Sequence, residues 1–500
     1  MYASDQWVVT QEIAGTQELV NDPVPDLSVP GGALVGGSWQ CHDLTLPVTD
    51  PEDGRVIGYV ADSTPADVAA AVSGVLDSVS NDDWPLWARS ESLHNAARLL
   101  QEESVRFAHL IASEGVKTIA EAQREVGRCV ETLRLSAEAG TFLKGETIPF
   151  AASRRGGNRV GWFTREPVGV IAALTSFNDP LNLVAHKLGP ALIAGNGVVL
   201  KPSDHTPLTA LAFVELLLSA GVPAKRIAVV CGRAQAGQSL VTDPRIALVS
   251  FTGGPATAAR ITAAAGPRKM LMELGGNNPT IVCADAVRAH AVDAVVDGAF
   301  GVAGQNCLSV QRVYVDASIY DEFLSETIAR TSRLRVGSKH DAATDIGPLV
   351  SEAEAQRVEE WVGKAVADGG TVHAGGSRRG AFYEPTVLTD VPAGAKVLTD
   401  EIFGPVVTII PFEDIASAIA AANESDFALQ AGVFTQSVET AFSVSSQLVA
   451  GAVVVNGTSD LRVDSMPFGG FKSSGVGREG VQFAVEAMTE PKNTIFNLVS

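Results

Sequence analysis

The sequence predicts an α/β protein with more than one domain, and three observations carry that prediction. Its 500 residues exceed what one small core supports. From residue 168 onward, short apolar runs of strand length alternate with helical stretches. A hydrophobic content of 46% with 48 glycines suits a compact fold with many turns.

Taken in order, residues 1–30 are polar and Pro-bearing and predict an irregular surface leader. From Pro65 to about Leu143 the pattern is helical, and the Ala-rich stretch 66–71 favours helix. Val126, Cys129, Val130 and Leu133 fall at i, i+3, i+4 and i+7, one apolar helix face. Cys129 is therefore expected in the core, and Glu125, Arg128 and Glu131 on a solvated face. After the turn at 154–157, residues 158–165 read as a short strand. Strands follow at 168–174, 198–200, 227–231 and 247–251, with helices at 181–194, 208–220, 237–241 and 256–265. This alternation predicts a parallel, helix-covered, Rossmann-like sheet that binds ligands at the carboxyl ends of its strands. A second α/β domain is expected from about Glu273 to Gly470.

Thirty-seven basic against 57 acidic residues leave a formal charge of −20. That balance lacks the basic patches on which non-specific nucleic-acid and anionic-membrane binding depend, so neither partner is expected. Cys41, Cys129, Cys231, Cys283 and Cys307 are scattered with no CxxC, the pattern of reduced thiols and not of disulfides or a metal site. No signal-peptide pattern opens the chain, and no apolar run approaches the roughly 18–20 residues a spanning helix needs. A soluble, cytoplasmic protein is expected.

The chemistry centres on Gly301-Val-Ala-Gly-Gln-Asn-Cys307-Leu-Ser-Val-Gln-Arg312. One cysteine sits in a Gly-rich, uncharged turn before a strand-like run at 310–315, with Gly301 and Gly304 free to take positive φ. A free Cys is ordinarily a small buried hydrophobe. Upstream, Met272-Glu273-Leu274-Gly275-Gly276 offers a carboxylate in an apolar setting, able to act as a general base for thiol chemistry. Glu273 and Cys307, in this order and at this spacing, resemble the E-L-G-G and G-Q-x-C motifs of the aldehyde dehydrogenase superfamily. The likeness extends over nearly the whole chain after about residue 30, and is similar to the lactaldehyde and phosphonoacetaldehyde dehydrogenase branch.

That resemblance implies the remaining roles. Cys307 would be the nucleophile and Glu273 the base that hydrolyses a thioester. Asn178, in Ser176-Phe-Asn-Asp179-Pro, would stabilise an oxyanion with the Cys307 N–H. Lys201-Pro-Ser203-Asp204 resembles the K-P-S-E loop that holds an adenosine ribose, with Asp204 in place of Glu. A carboxylate there disfavours a 2′-phosphate, so NAD is expected as coenzyme, with NADP possible. Phe251-Thr-Gly253-Gly254-Pro resembles the F-T-G-S phosphate loop; Gly254 lacks the usual hydroxyl, and Ala258 stands where a glycine is common. Glu401 and Phe403, in Glu-Ile-Phe-Gly-Pro-Val, would meet the nicotinamide ribose and ring. Thr175, Ser176, Gly237, Leu274 and Gly275 complete the expected coenzyme site. Lys187 matches a lysine near the active site, and Pro467-Phe-Gly-Gly470 a motif that closes it.

For the substrate, Asp179, Gln123, Asn306 and Arg462 are the expected lining residues. Gln123, Asp179 and Asn306 are neutral or acidic where phosphonate-handling relatives carry cations, and Asp179 would repel a nearby anion. A small polar or hydroxylated aldehyde is favoured. Arg462 either holds one distal charge or pairs with Asp464 or Asp460. The resemblance also implies a division of the chain. Residues 1–150 and 166–272 would form the cofactor domain, to which 471–486 return. Residues 273–470 would form the catalytic domain. Residues 151–165 and 487–500 would form a β oligomerisation arm reaching a neighbouring subunit of a homodimer or homotetramer. Three alternatives remain: a coenzyme A-acylating dehydrogenase, against which Glu273 speaks; a catalytically silent binding protein; and a thiol hydrolase, for which no His partner is evident.

Overall fold

A computed structural model describes residues 26–81 and 84–498; most of the expected leader lies outside them. Five parallel strands form the centre of the first sheet. Val170–Leu174 lies innermost, with Gly197–Lys201 and then Ile227–Val229 to one side, and Ile246–Thr252 and then Lys269–Glu273 to the other. The order of strands therefore reverses between Val170–Leu174 and Ile246–Thr252, and such switch points bind dinucleotides. Val170–Leu174 is buried throughout, as expected of a strand covered on both faces. Antiparallel strands Ala33–Val35 and Gly475–Val476 flank the five.

The second sheet runs Thr371–Ala374, Thr386–Thr389, Val406–Phe412, Val310–Asp316, Asn278–Val282, Gln430–Phe434 and Ala452–Val455. All its neighbours are parallel except the first pair. Only residues 274–277 separate Lys269–Glu273 from Asn278–Val282, so the chain passes directly from one sheet to the other. Glu273 thus leaves the carboxyl end of the first sheet, while Cys307 precedes a strand of the second.

The apolar face expected at 126–133 lies in helix Ile119–Ala139, where all four predicted residues are buried. Thr118 caps this helix, and Glu121 returns the bond in a capping box. The solvated face is only partly as expected. Glu131 is exposed, but Glu125 is fully buried and Arg128 half-buried, because this side of the helix packs against a second charged layer rather than water. Arg159–Pro167 pairs antiparallel with Thr489–Asn497 along its whole length within this chain.

Among the described residues, no helix is long and apolar enough to cross a membrane.

Candidate active site

Two cavities flank the first turn of helix Pro255–Ala265. The larger, about 1000 Å³, holds Cys307, Glu273 and Asn178 on one wall system. The smaller, about 630 Å³, is bordered by Thr175, Lys201, Ser203, Asp204, Gly237 and Phe251. Gly253 and Gly254 line the larger cavity, and Phe251 and Thr257 the smaller, so the helix N-terminus stands between them.

The Cys307 loop is held by its backbone. Asn278 Nδ2 donates to the carbonyls of Cys307 at 2.8 Å and Ser309 at 3.0 Å. Leu308 N–H donates to Asn306 Oδ1 at 3.1 Å, while the Cys307 N–H donates to no group among the described residues. The close approach explains the glycine pair after Glu273. A Cβ on Gly276 would collide with the Cys307 carbonyl, and one on Gly275 with the Glu401 carboxylate. Gly304 takes φ +70 as expected, but Gly301 does not need its freedom. Val302 and Ala303 carry the positive φ instead, at 55° and 53°. Their strain is held from outside the loop: Glu121 Oε1 accepts from Val302 N–H at 2.7 Å.

Burial pushes the Cys307 thiol far above its ordinary pKa, and the Glu401 carboxylate adds to the shift. Burial likewise raises Glu273 well above the carboxylate range, with the charge of Glu479 second. Glu273 Oε1 accepts from Glu479 N–H at 3.3 Å, and its Oε2 is buried without a partner. That orphan acceptor suits a general base awaiting water. Glu479 itself is buried yet held at about 2, because Lys187 and Arg462 outweigh the burial. Lys187 Nζ lies 3.0 Å from Glu479 Oε1, and Arg462 Nη2 3.0 Å from Oε2.

Asn178 sits in the loop after Val170–Leu174, and its Oδ1 accepts from the Ser176 hydroxyl at 2.7 Å. The Nδ2 hydrogens remain for another acceptor. This loop is fastened by the carboxylate that sequence patterning assigned to water. Glu125 Oε1 accepts from the N–H groups of Leu181 and Asn182, at 2.8 and 2.9 Å, at the start of helix Asn182–Ile193. Its Oε2 lies 2.8 Å from Lys117 Nζ, which also pairs with Asp179. Glu125→Ala would leave Lys117 half-compensated and two helix-start N–H groups unpaired. Chemical denaturation is expected to show a loss of about 3 kcal/mol, and an unchanged midpoint would refute this account.

These features are those of a thiol, a buried carboxyl and an amide donor lining the larger of two adjacent cavities. The aldehyde dehydrogenase family profile matches residues 39–494. The chain belongs to the aldehyde dehydrogenase family. It is 43% identical over 455 residues to aspartate-semialdehyde dehydrogenase 1 of Pseudomonas canavaninivorans, covering 91% of this chain and 97% of that one. It is 41% identical over 468 residues to 3-sulfolactaldehyde dehydrogenase of Priestia aryabhattai, covering 93% and 98%. Among solved structures it is similar to the NADP-dependent glyceraldehyde-3-phosphate dehydrogenase of Bacillus halodurans in complex with NADP. There the TM-score is 0.92 at 33% identity, over 94% of this chain and 100% of that one.

In this aldehyde dehydrogenase the expected coenzyme residues divide cleanly. Thr175, Lys201, Ser203, Asp204, Gly237 and Phe251 border the smaller cavity. Ser176, Gly253, Gly254, Leu274, Gly275, Glu401 and Phe403 border the larger. Burial raises Glu401 to about 7, and its Oε1 accepts from Gly276 N–H at 3.0 Å. The Phe403 ring meets Phe177 edge-on at 5.7 Å, against the Asn178 loop. A Cβ at Gly254 would meet nothing within 4 Å, so no neighbouring atom requires a glycine there. Paired cavities separated by a helix N-terminus fit an elongated dinucleotide with a central anionic group.

Of the expected substrate residues, Asp179, Asn306 and Arg462 line the larger cavity, but Gln123 does not. The helical period is the reason: Glu121, Arg124, Glu125 and Arg128 share the cavity side, and Gln123 turns away. The repulsion expected of Asp179 is offset by Lys117 and by Arg128 at 3.7 Å. Arg462 pairs chiefly with Glu479, lies 3.9 Å from Asp464, and stacks 4.0 Å over the Phe468 ring. Arg128, Glu121, Lys117 and Glu479 escaped the sequence reading. Only the 121/125/128 spacing could have signalled the first two. Among the described residues no group of three or more His, Cys, Asp or Glu could hold a metal ion.

Proposed function

We propose that the protein oxidises a small aldehyde bearing one distal anionic group to its carboxylic acid, with NAD(P) as coenzyme. The observation that carries the substrate class is that two guanidinium groups, Arg128 and Arg462, line the cavity that holds Cys307, Arg128 also meeting Asp464 at 3.1 Å and Arg462 meeting Glu479 at 3.0 Å. Guanidinium groups suit a carboxylate or sulfonate. Two relatives above are named for aspartate semialdehyde and 3-sulfolactaldehyde, aldehydes that carry such groups.

The Cys307 thiol gives up its proton to water as its sulfur attacks the aldehyde carbon, and the new oxyanion takes hydrogen bonds from Asn178 Nδ2 and the Cys307 N–H. When bound, NAD(P) would supply the hydride acceptor; Lys201, Ser203, Asp204 and Gly237 would hold its adenosine end and Glu401 and Phe403 its nicotinamide end. The acyl group is then held on Cys307 as a thioester. Glu273 takes a proton from water, the water oxygen adds to the thioester carbonyl, and the carbon–sulfur bond breaks. The acid leaves and the thiolate returns. Because Glu273 is present, water rather than coenzyme A is the expected acyl acceptor.

Initial rates read by reduced-coenzyme absorbance test the substrate class. Succinate semialdehyde should be used with a much higher kcat/KM than butanal. Arg128→Gln should raise KM for the semialdehyde roughly 10- to 100-fold, the size of a lost charge-assisted hydrogen bond, and leave butanal within about threefold. Equal use of both aldehydes by the wild type would sink the anionic reading.

Oligomerisation as a homodimer or homotetramer is inferred from the three-stranded arm, where Val160, Trp162 and Phe496 expose a shared apolar face. The five free cysteines accord with a reducing, cytoplasmic setting.

A further inference from the structure

Two carboxylates on helix Ile119–Ala139, Glu121 and Glu125, reach the larger cavity from one helix face. Both are buried, and each accepts backbone N–H groups from a different loop of the site. Glu125 Oε1 takes those of Leu181 and Asn182, just after Asn178. Glu121 Oε1 takes that of Val302, in the turn that leads to Cys307. Val302, Ala303 and Gly304 are all left-handed there, at φ 55°, 53° and 70°. The first two carry a Cβ that disfavours this region, Val the more so because it is β-branched. Gln305 ties down the far end of the turn. Its Nε2 donates to the carbonyls of Val302 and Pro348, each at 3.2 Å, and its Oε1 accepts from Val350 N–H at 2.9 Å. Glu121 holds the near end, while its Oε2 accepts from the Thr118 N–H and hydroxyl at 2.9 and 3.1 Å and closes the helix cap.

We infer that Glu121 is a positioning residue for the nucleophile: by holding Val302 in the left-handed turn, it fixes where the Cys307 thiol and N–H stand relative to Asn178, which Glu125 fixes from the same helix. The inference rests on the reading of Cys307 as nucleophile and Asn178 as oxyanion donor. These two groups come from different sheets. Asn178 follows Val170–Leu174 of the first, and Cys307 precedes Val310–Asp316 of the second. Neither sheet's hydrogen-bond ladder therefore sets the distance between them. One helix that presents a carboxylate to each loop does so instead, because residues four apart on a helix stand about 5–6 Å from one another and are held there by its backbone. Covalent attack is sensitive to such placement: a shift of about 1 Å can cost roughly 10²-fold in rate. The effect needs no contact between Glu121 and the substrate.

Single-turnover mixing, with enzyme in excess over NAD and saturating succinate semialdehyde or butanal, reads the steps through acylation as the rate of NADH formation. Two variants separate the turn from the helix cap. Glu121→Asp keeps the cap, since Thr64 and Asp67 form the same capping box at helix Pro65–Ser80. It is one methylene shorter, so it does not also reach Val302. Its single-turnover rate should fall roughly 10- to 100-fold, with 5′-AMP binding and the denaturation midpoint close to the wild type. Thr118→Ala weakens the cap and leaves the Val302 bond. It should lower the midpoint and keep the single-turnover rate within about threefold. A wild-type rate in Glu121→Asp would overturn the inference. So would a comparable slowing in Thr118→Ala, because Glu121 would then act only through the cap. No NADH from either aldehyde with the wild type, or undiminished NADH with Cys307→Ala, would remove the nucleophile reading and this inference with it.

Discussion

Cys307→Ala abolishes aldehyde oxidation: kcat/KM is expected to fall by roughly 10⁴-fold or more, as when a covalent nucleophile is removed. The size follows from what remains. Asn178 and the Cys307 backbone N–H would still offer an oxyanion site, and the coenzyme cavities would be untouched. Nothing else within the larger cavity supplies a thiol. Among the described cysteines, Cys129, Cys231 and Cys283 are buried and Cys41 is exposed, and none lines the cavity. The substitution removes one sulfur from a small cluster with Leu308, Leu429 and Phe468, so folding should survive it. Steady-state rates with the best aldehyde, together with 5′-AMP binding to show an intact fold, decide the matter. Retention of more than about one per cent of the activity would exclude a Cys307 thioester.

Glu273→Gln separates the two halves of the reaction. Acylation of Cys307 should persist, so that rapid mixing shows a burst of reduced coenzyme close to one per active site. Steady turnover should fall roughly 10²- to 10⁴-fold, the usual worth of a positioned base. The pH profile provides an independent check. Glu273 works only when ionised, and burial with the neighbouring Glu479 charge raises its pKa. The ionised fraction therefore grows as pH rises through that elevated value, well above the ordinary carboxylate range of about 4. Wild-type kcat should climb on this limb, and the Gln variant should lose it. A wild-type profile that is flat from pH 5 to 9, or a variant with no burst, would assign the base elsewhere.

Much of the site was legible because its parts are local. Glu273 is followed by two glycines because the chain must pass within contact of both Glu401 and the Cys307 carbonyl, and such close approach leaves no room for Cβ. The K-P-S-D and F-T-G-G loops each follow a strand of the first sheet, where the alternation of periods already puts ligand contacts. Glu125 and Arg128 were illegible for the opposite reason. Helical periodicity separates apolar from polar faces, but it does not say whether a polar face meets water or another charged layer. Glu125 meets Lys117 and the start of helix Asn182–Ile193, partners that no local pattern connects to it. Gln123 was misplaced by the same ambiguity, one helical step from the residues that line the cavity.

By itself, the sequence determined the family, the strand and helix alternation, and the choice of Cys307, Glu273 and Asn178, which the fold brings to one cavity. These follow from short-range stereochemistry and from motifs whose spacing is set by the backbone. Tertiary structure alone decided which charges are compensated. Asp179 is neutralised by Lys117 and Arg128, and Arg462 is tied to Glu479. Charge interactions act through space and depend on burial, so residues far apart in the chain set one another's ionisation and reach only after the sheets have brought them together.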